Sequence, residues 1–173
     1  MVTGRHAVHA ELEGALCTLT DRPTALIFSS GYLANLGALT ALTGRGAVIF
    51  SDEHAHASLI DAARLSRARV EVFPHSDLRA LEMMLQVRQE TRAVVVVESI
   101  YSVLGDAAPL RELAQLCARF DALLLVDEAH GLGVSGSGRG GVWAAGLAKA
   151  EHVVATVTLS KSLGAQGGAV LAG

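Results

Sequence analysis

The sequence predicts an α/β protein with one mostly parallel, seven-stranded sheet that carries helices on both faces. Short, uniformly apolar runs recur along the chain, and segments with helical periodicity lie between most of them. Hydrophobic residues make up 51% of the chain and charged residues 18%, which supplies enough apolar material for a large core. The length of 173 residues fits one compact domain, so we expect a single domain over residues 1–173.

Seven runs are predicted as strands because each is short and apolar and most alternate with amphipathic segments. Their uniform apolarity indicates burial on both faces, which is typical of parallel strands. The runs are ALIF (25–28), AVIF (47–50), VEVF (70–73), AVVVVE (93–98), LLLV (123–126), VVATVT (153–158) and GGAVLAG (167–173).

Six helices are predicted, one before the first strand and the others between strands. In the first, Val8, Leu12, Leu16 and Leu19 lie on one helical face. The predicted helices span 6–20, the stretch from the turn Ser29-Ser30-Gly31 to about 42, 56–66, 77–90, 110–120 and, after a glycine-rich loop, roughly 142–148.

Charge and cysteine patterns narrow the class of protein. The formal net charge of −3, without a basic stripe, argues against a nucleic-acid partner. The uncharged stretch 23–44 nearly has the length of a membrane span, but polar residues interrupt it, so we expect no transmembrane segment. Cys17 and Cys117 lack metal-ligand or redox spacing and are predicted to be buried free thiols. Without an apolar leader after Met1, these features predict a cytoplasmic protein.

Polar residues cluster where the predicted strands end. In open α/β sheets, ligands bind beyond the carboxyl ends of the strands. The stretch LLLVDEAHGLGV (123–134) therefore places two carboxylates and an imidazole where a site is expected. Residues at the other strand ends are Ser29-Ser30-Gly31, Asp52, Glu98 and Thr158.

Three types of functional site are disfavoured by the residues that follow Val126: a nucleotide-hydrolysing site, a dinucleotide site and a metal site. A nucleotide-hydrolysing helicase of the DEAH type requires a G-x-x-x-x-G-K-[ST] phosphate loop, which the sequence lacks. GSGRGG (136–141) matches a dinucleotide fingerprint, but it does not follow its strand directly, and no acidic residue lies about twenty positions further on. A metal at Asp127, Glu128 and His130 is disfavoured because consecutive carboxylates at a strand end point to opposite faces.

Pyridoxal phosphate (PLP) fits the pattern better. This cofactor needs an amine, a carboxylate for its ring nitrogen, a flat group on its ring, a donor to its phenolic oxygen and a nest for its phosphate. Asp127 suits the ring nitrogen, His130 can reach the phenolic oxygen, and Lys161 lies among small residues in TLSKSLGAQGG. Ser30-Gly31-Tyr32 opens a predicted helix, whose free N–H groups favour a phosphate.

Six motifs resemble the α-oxoamine synthases, which are fold-type-I PLP enzymes. They are HAVHAELEGAL, FSSGYLANLGAL, SDEHAHASLIDAA, DAAPL, DEAHGLGV and TLSKSLGAQGGAV, and they cover essentially the whole chain in order. The resemblance implies a fold-type-I PLP-dependent transferase large domain. It also implies a homodimer, and the high apolar fraction agrees with covered surface. The family's upstream segment and C-terminal domain have no counterpart in these residues, so we expect the chain to be a fragment.

The resemblance assigns three catalytic residues. Lys161 resembles the lysine that forms the Schiff base with the cofactor and transfers protons. Asp127 resembles the carboxylate that pairs with the pyridinium nitrogen, and His56 resembles the histidine that stacks on the ring and lines the substrate site.

Five further residues match cofactor contacts in the family. Gly31 and Tyr32 match backbone contacts to the phosphate, and Thr158 matches a hydroxyl that binds it. Ser102 matches a serine at the cofactor, and His130 matches the contact to the phenolic oxygen. No metal is implied.

The implied reaction is the decarboxylative condensation of an amino acid with an acyl thioester. The motifs are nearest to the branch that uses L-alanine with pimeloyl-CoA, or its carrier-protein equivalent, in biotin biosynthesis. Sister enzymes that use glycine (2-amino-3-ketobutyrate ligase, 5-aminolevulinate synthase) or serine (serine palmitoyltransferase) remain alternatives, as does an inactive remnant that only binds the cofactor. Leu104 and Ala55 depart from the family pattern, but neither position has an assigned chemical role.

Other polar residues are given structural roles. Glu128 is predicted to face away from the site and to pair locally, and Lys149 is predicted to lie on the surface. Glu98 either orients its neighbours or caps a helix. Arg139 is predicted to hold the glycine-rich loop rather than to bind an anion.

Overall fold

The fold is described for residues 4–173 from a computed structural model. Within that range the helices are α1 (Ala7–Thr20), α2 (Gly31–Leu42), α3 (Ala57–Ser66), α4 (Leu78–Val87), α5 (Leu110–Arg119) and α6 (Gly141–Ala144). The strands are β1 (Thr24–Phe28), β2 (Ala47–Asp52), β3 (Arg69–Phe73), β4 (Arg92–Glu98), β5 (Leu123–Asp127), β6 (Val153–Thr158) and β7 (Gly168–Ala172). Every predicted strand is confirmed, and each of its ends lies within two residues of the predicted position.

The strands form one sheet in the order β1-β7-β6-β5-β4-β2-β3. The pairs from β6 to β3 are parallel, whereas β7 is antiparallel to both of its neighbours, β6 and β1. The connection from β6 to β7 is residues 159–167, which is shorter than the dozen or so residues that a parallel crossover needs. The prediction of a mostly parallel seven-stranded sheet is therefore confirmed, with β7 reversed by its short connection.

Side chains alternate between the two faces of the sheet along each strand, and each face carries its own apolar layer. Leu125 of β5 packs with residues of α2 and α3, and we call this side the α2/α3 face. Leu124 and Val126 pack with residues of α1, α4 and α5 on the opposite face. Because side chains alternate along a strand, Asp127 lies on the same side as Leu125, which is the α2/α3 face.

The largest difference from the predicted elements is in the glycine-rich loop after β5. The structure has a 3₁₀ turn at Gly136–Gly138 and a helix at Gly141–Ala144, instead of one helix near 142–148. Gly146 has a φ of 74°, in the left-handed region, which ends a helix at this point. The predicted helix 77–90 also ends earlier, at Val87, because Arg88 is extended.

Two expectations about the chain as a whole can be compared with the structure. No helix in residues 4–173 is both long and apolar enough to cross a membrane. Cys17 and Cys117 are both free, but only Cys117 is fully buried, and Cys17 is partly exposed. Burial raises the pKa of the Cys117 thiol to about 12.

Candidate active site

A cavity of about 240 Å³ lies at the carboxyl ends of β4, β5 and β6, on the α2/α3 face. The strand ends contribute Glu98, Asp127 and Thr158 to its lining, and Lys161 reaches it from the loop between β6 and β7. The volume is below the roughly 300–1,000 Å³ of pockets for drug-sized ligands. The site is therefore suited to a small molecule.

Strand parity decides which strand-end carboxylates face this cavity. Glu98 and Asp127 are direct partners in the β4–β5 ladder, so their side chains emerge side by side on the α2/α3 face. Asp52 ends β2 but follows the parity of Phe50, which packs on the opposite face. Asp52 lies at a strand end, as predicted, but on the face opposite to the cavity.

Asp127 is buried and firmly held. The residue is only 5% exposed to solvent. Its Oδ1 accepts from the Ala129 amide at 2.8 Å, and its Oδ2 accepts from Asn35 Nδ2 at 2.7 Å. These two hydrogen bonds fix the orientation of the carboxylate.

Lys161 and His130 are in direct contact. Lys161 Nζ lies 2.7 Å from His130 Nε2. Burial lowers the pKa of His130, and the positive charge of Lys161 lowers it further, although Asp127 acts in the opposite direction. A neutral His130 can accept a hydrogen bond from the Lys161 amine, which holds that amine beside the cavity.

The amino end of α2 packs closely on the end of β6. A Cβ added to Gly31 would lie 2.8 Å from Thr158 Cβ, so only glycine fits without a shift. Ser30 caps the helix by accepting from the Leu33 amide at 3.1 Å. Ser30, Gly31, Tyr32 and Thr158 all line the cavity, which therefore borders the amino end of α2, where helix amides lack intrahelical partners.

Two rings flank the cavity. His56 is the N-cap of α3, and its Nδ1 accepts from the Ser58 amide at 3.2 Å. Tyr32 also lines the cavity, and its hydroxyl donates to Asp61 Oδ2 at 2.8 Å. The two side chains are thus anchored at one end and present their rings to the cavity.

Two of the predicted contacts lie outside the lining of the cavity. His130 reaches it only through Lys161. Ser102 is exposed, and its amide donates to Glu98 Oε2 at 3.1 Å. Glu98 Oε1 is buried and has no hydrogen-bond partner among residues 4–173. Burial raises the pKa of Glu98, and the charge on Asp127 adds to that effect, although the Ser102 amide opposes it.

Several residues of the site were not singled out from the sequence, chief among them Asn35, Ser58 and Ser160. Asn35 is 3% exposed and contacts Asp127 directly. The sequence does contain an indication of its role, because Asn35 is a polar residue one helical turn after Gly31 in a mostly apolar helix.

The structural roles predicted for other polar residues are mostly confirmed. Glu128 faces away from the cavity and accepts from the amides of Gly141 and Val142 at 2.9 and 2.6 Å. Arg139 donates to the Leu19 carbonyl at 2.8 Å and so ties the glycine-rich loop to α1. Lys149 pairs with Asp21 on the surface at 2.8 Å.

A second polar network lies on the opposite face, around Asp52. His75 links Asp52 and Asp106, with N–O distances of 2.9 and 2.8 Å, and the Tyr101 hydroxyl donates to Asp52 at 3.0 Å. The His54 ring stacks on His75 with their centroids 4.3 Å apart. Within residues 4–173, no group of three or more His, Cys, Asp or Glu side chains is arranged to hold a metal ion.

Known proteins similar to this chain agree with the resemblance found from its motifs. The chain is 58% identical over 171 residues to the 8-amino-7-oxononanoate synthase of Mycolicibacterium paratuberculosis, which covers 99% of the chain and 45% of that relative. A serine palmitoyltransferase from S. paucimobilis, solved with bound PLP as its myriocin aldimine, matches with a TM-score of 0.91 and 36% identity over 99% of this chain and 44% of that one. The 8-amino-7-oxononanoate synthase of Francisella tularensis matches with a TM-score of 0.84 and 27% identity over 98% of this chain and 49% of that one.

These matches cover nearly all of this chain but less than half of each relative. This chain spans a little under half the length of the curated relatives and solved structures that it matches. The family model described as aminotransferase class I and II covers residues 2–173, which is nearly the whole chain. The chain belongs to the aminotransferase class I and II family.

Proposed function

We propose that this chain forms the PLP-binding large domain of an enzyme that condenses an amino acid with an acyl thioester and releases carbon dioxide. The substrates proposed are L-alanine and pimeloyl-CoA, or the pimeloyl carrier protein, which give 8-amino-7-oxononanoate for biotin biosynthesis. The observation that carries this proposal is the 58% identity to an 8-amino-7-oxononanoate synthase across 99% of the chain. The domain assignment, the substrates and a homodimeric assembly are all part of the proposal.

The residues of the cavity fit PLP. Gly31 is needed where a Cβ would collide with Thr158, so the backbone amides of α2 can approach a bound phosphate closely. Asp127 is a buried, acceptor-only carboxylate, as the protonated ring nitrogen requires. Lys161 supplies an amine beside these groups. A neutral heterocycle without a phosphate would leave the α2 amides unused.

Each residue has a role that its surroundings support. PLP, when bound, serves as an electron sink for charge that develops at the α-carbon of an amino acid. Asp127 would keep the ring nitrogen protonated, and Lys161 would carry protons to and from the α-carbon. His56 would cover the ring and His130 would contact the phenolic oxygen.

Three residues would hold the phosphate, and one would contact the cofactor from a neighbouring loop. Gly31, Tyr32 and Thr158 line the end of the cavity formed by α2 and β6, so the two amides and the hydroxyl would bind the phosphate there. Ser102 would need to turn its hydroxyl inward to contact the cofactor, because it is exposed in the structure.

Sister enzymes that use serine or glycine are the second candidate. The solved serine palmitoyltransferase is 36% identical to this chain, whereas the curated 8-amino-7-oxononanoate synthase is 58% identical. Sequence identity therefore supports the alanine-using reaction. Condensation assays with L-alanine, glycine and L-serine, each with pimeloyl-CoA and palmitoyl-CoA, test the choice. Turnover fastest with alanine and pimeloyl-CoA supports the proposal, and faster turnover with another pair contradicts it.

The cofactor site can be tested through the two lysines of the chain. All but two of the 14 basic residues are arginines, so Lys149 and Lys161 are the whole set of lysine amines. Borohydride treatment of the PLP-loaded protein should fix the cofactor on Lys161. Lys161→Ala should abolish both this adduct and the visible absorption, whereas the surface variant Lys149→Ala should keep both. An adduct on Lys149 would contradict the assignment, and cofactor binding without any condensation would indicate an inactive remnant.

A further inference from the structure

Asn35 joins two sides of the proposed cofactor site. Its Nδ2 lies 2.7 Å from Asp127 Oδ2 and 2.8 Å from Ser58 Oγ, and its Oδ1 accepts from the Thr156 hydroxyl. Both amide hydrogens and the amide oxygen therefore have buried partners. Ser58 Oγ continues the chain of contacts, because it lies 2.7 Å from His56 Nδ1.

The direction of each hydrogen bond follows from the chemistry of the groups. An ionised Asp127 carboxylate can only accept, so Asn35 must turn its NH₂ group toward it. Thr156, the ladder partner of Asp127, then donates to the Asn35 oxygen. Because the second amide hydrogen of Asn35 goes to Ser58 Oγ, the hydroxyl hydrogen of Ser58 is free to be donated to His56.

His56 Nδ1 is consequently an acceptor. The Ser58 backbone amide, which can only donate, points at this nitrogen from 3.2 Å, and the Ser58 hydroxyl adds a second donor at 2.7 Å. A neutral imidazole whose Nδ1 accepts must carry its proton on Nε2. His56 lines the cavity, and residues 4–173 provide no hydrogen-bond partner for this Nε2.

We infer that Asn35 is a positioning residue that couples Asp127 to His56 through Ser58 and holds His56 in the tautomer with its proton on Nε2. In this arrangement His56 offers a hydrogen-bond donor to an oxygen atom of a bound molecule, such as a carboxylate or carbonyl oxygen. It does not offer a basic nitrogen. The use of this donor by a substrate rests on the proposed function, whereas the tautomer itself is a property of the protein alone.

The tautomer can be measured by ¹⁵N NMR of the histidine side chains in the full chain without added cofactor. At about pH 8.5, where an ordinary imidazole is neutral, the proton of His56 should reside on Nε2, with an excess of about tenfold over the other tautomer. His56→Gln identifies the resonance. A His56 with its proton mainly on Nδ1 would overturn the inference without any further variant.

Two variants and one control test the role of Asn35. Asn35→Leu keeps the shape of the side chain but removes its hydrogen bonds. It should reduce the excess of the Nε2-protonated tautomer of His56 several-fold, because the Ser58 hydroxyl is no longer forced to donate to His56. Ser58→Ala, the milder change, should reduce it in the same direction while its backbone amide remains. Ser99→Ala removes an equally buried hydroxyl that serves Glu128 on the opposite face, and it should leave His56 unchanged.

The outcomes separate the inference from the proposed function. An unchanged tautomer ratio in Asn35→Leu, or in Ser58→Ala, would overturn the coupling through Asn35, even if PLP binds. If Asn35→Leu does not fold, Asn35→Ala takes its place, with the same expected result. Failure of PLP to bind, with the tautomer ratios as expected, would contradict the proposed function and leave the positioning role intact.

Discussion

The two faces of the sheet use similar polar residues at its carboxyl edge but leave them in different states. On the α2/α3 face, Glu98 has one buried oxygen without a partner in the described chain, and Lys161 borders an open cavity. On the opposite face, both oxygens of Glu128 are occupied by the Gly141 and Val142 amides and the Ser99 hydroxyl. The buried Glu98 Oε1 on one face is thus left without a protein donor, whereas the oxygens of Glu128 on the other face all serve the fold.

Asp127 and Glu128 illustrate the difference between the two faces. They are consecutive and both nearly fully buried, at 5% and 3% exposure. Alternation of side chains sends Asp127 to the cavity and Glu128 to the glycine-rich loop. Residue type and position at a strand end therefore do not identify the carboxylate that faces the cavity, but side-chain parity does.

The largest effect is expected for Asp127→Asn. This change keeps the shape of the side chain but removes the charge that would hold the ring nitrogen protonated. Loss of such electrostatic stabilisation should slow exchange of the α-proton of a bound amino acid by about 100-fold or more. The exchange rate in deuterated buffer measures the effect, with PLP absorption as the check that cofactor remains bound. Exchange at the wild-type rate would remove Asp127 from its proposed role.

Glu128→Gln should lower the stability of the protein and leave the cofactor site unaffected, the reverse of what is expected for Asp127→Asn. The amide retains one acceptor oxygen where three donors now meet a carboxylate, so the protein should lose about 1–3 kcal/mol of unfolding free energy. Denaturant titration measures this loss. The affinity of the folded protein for PLP should change little. A loss of PLP binding free energy larger than the loss of unfolding free energy would show that the two faces are not independent.

Gly31→Ala tests the close approach of α2 to β6. The added Cβ would lie 2.8 Å from Thr158 Cβ and should push the helix end away, weakening PLP binding by about tenfold, or ~1.4 kcal/mol. Gly14→Ala is a matched control in α1, because a Cβ there meets nothing within 4 Å. That control should raise stability by about 0.5–1 kcal/mol and leave PLP affinity unchanged. Equal effects from the two variants would contradict a phosphate nest at Gly31.

The smallest effect concerns the pH dependence of the Asp52 network. Burial opposes the charged form of His75, but its hydrogen bonds to Asp52 and Asp106 outweigh burial and raise its pKa. A group with a raised folded pKa stabilises the protein fully below its unfolded pKa, near 6.5, and loses that contribution as pH rises through the folded pKa. The stability difference between wild type and His75→Gln should therefore be larger at pH 5.5 than at pH 8.5. A difference that grows with pH would reverse the sign and contradict this account.

Much of the architecture could be predicted from the sequence because the apolar runs are uniform and regularly spaced. The runs 93–98 and 123–126, both predicted as strands, form parallel strands that are neighbours in the sheet. The short helix near 142–148 was less predictable, since positive φ at Gly140 and Gly146 divides that region. Periodicity carries no information about such turns.

The site was only partly predictable for a related reason. The sequence motif identified Asp127 and Lys161, and both line the cavity. Asn35 and Ser58 act through contacts between residues far apart in sequence, and these contacts arise only when α2 and α3 pack on the sheet. The strand-end position of Asp52 was predictable, but its face was not, because a strand end specifies an edge of the sheet and not a face.

The most direct test of the difference between the faces is a PLP titration followed by NMR of the histidine side chains. Ring currents and new hydrogen bonds from a cofactor in the cavity should shift His56 and His130, which border it directly or through Lys161. His75, held by carboxylates on the opposite face, should not shift. Shifts of His56 and His130 with His75 unchanged are the predicted result, and a shift of His75 without any change at His56 and His130 would contradict the account.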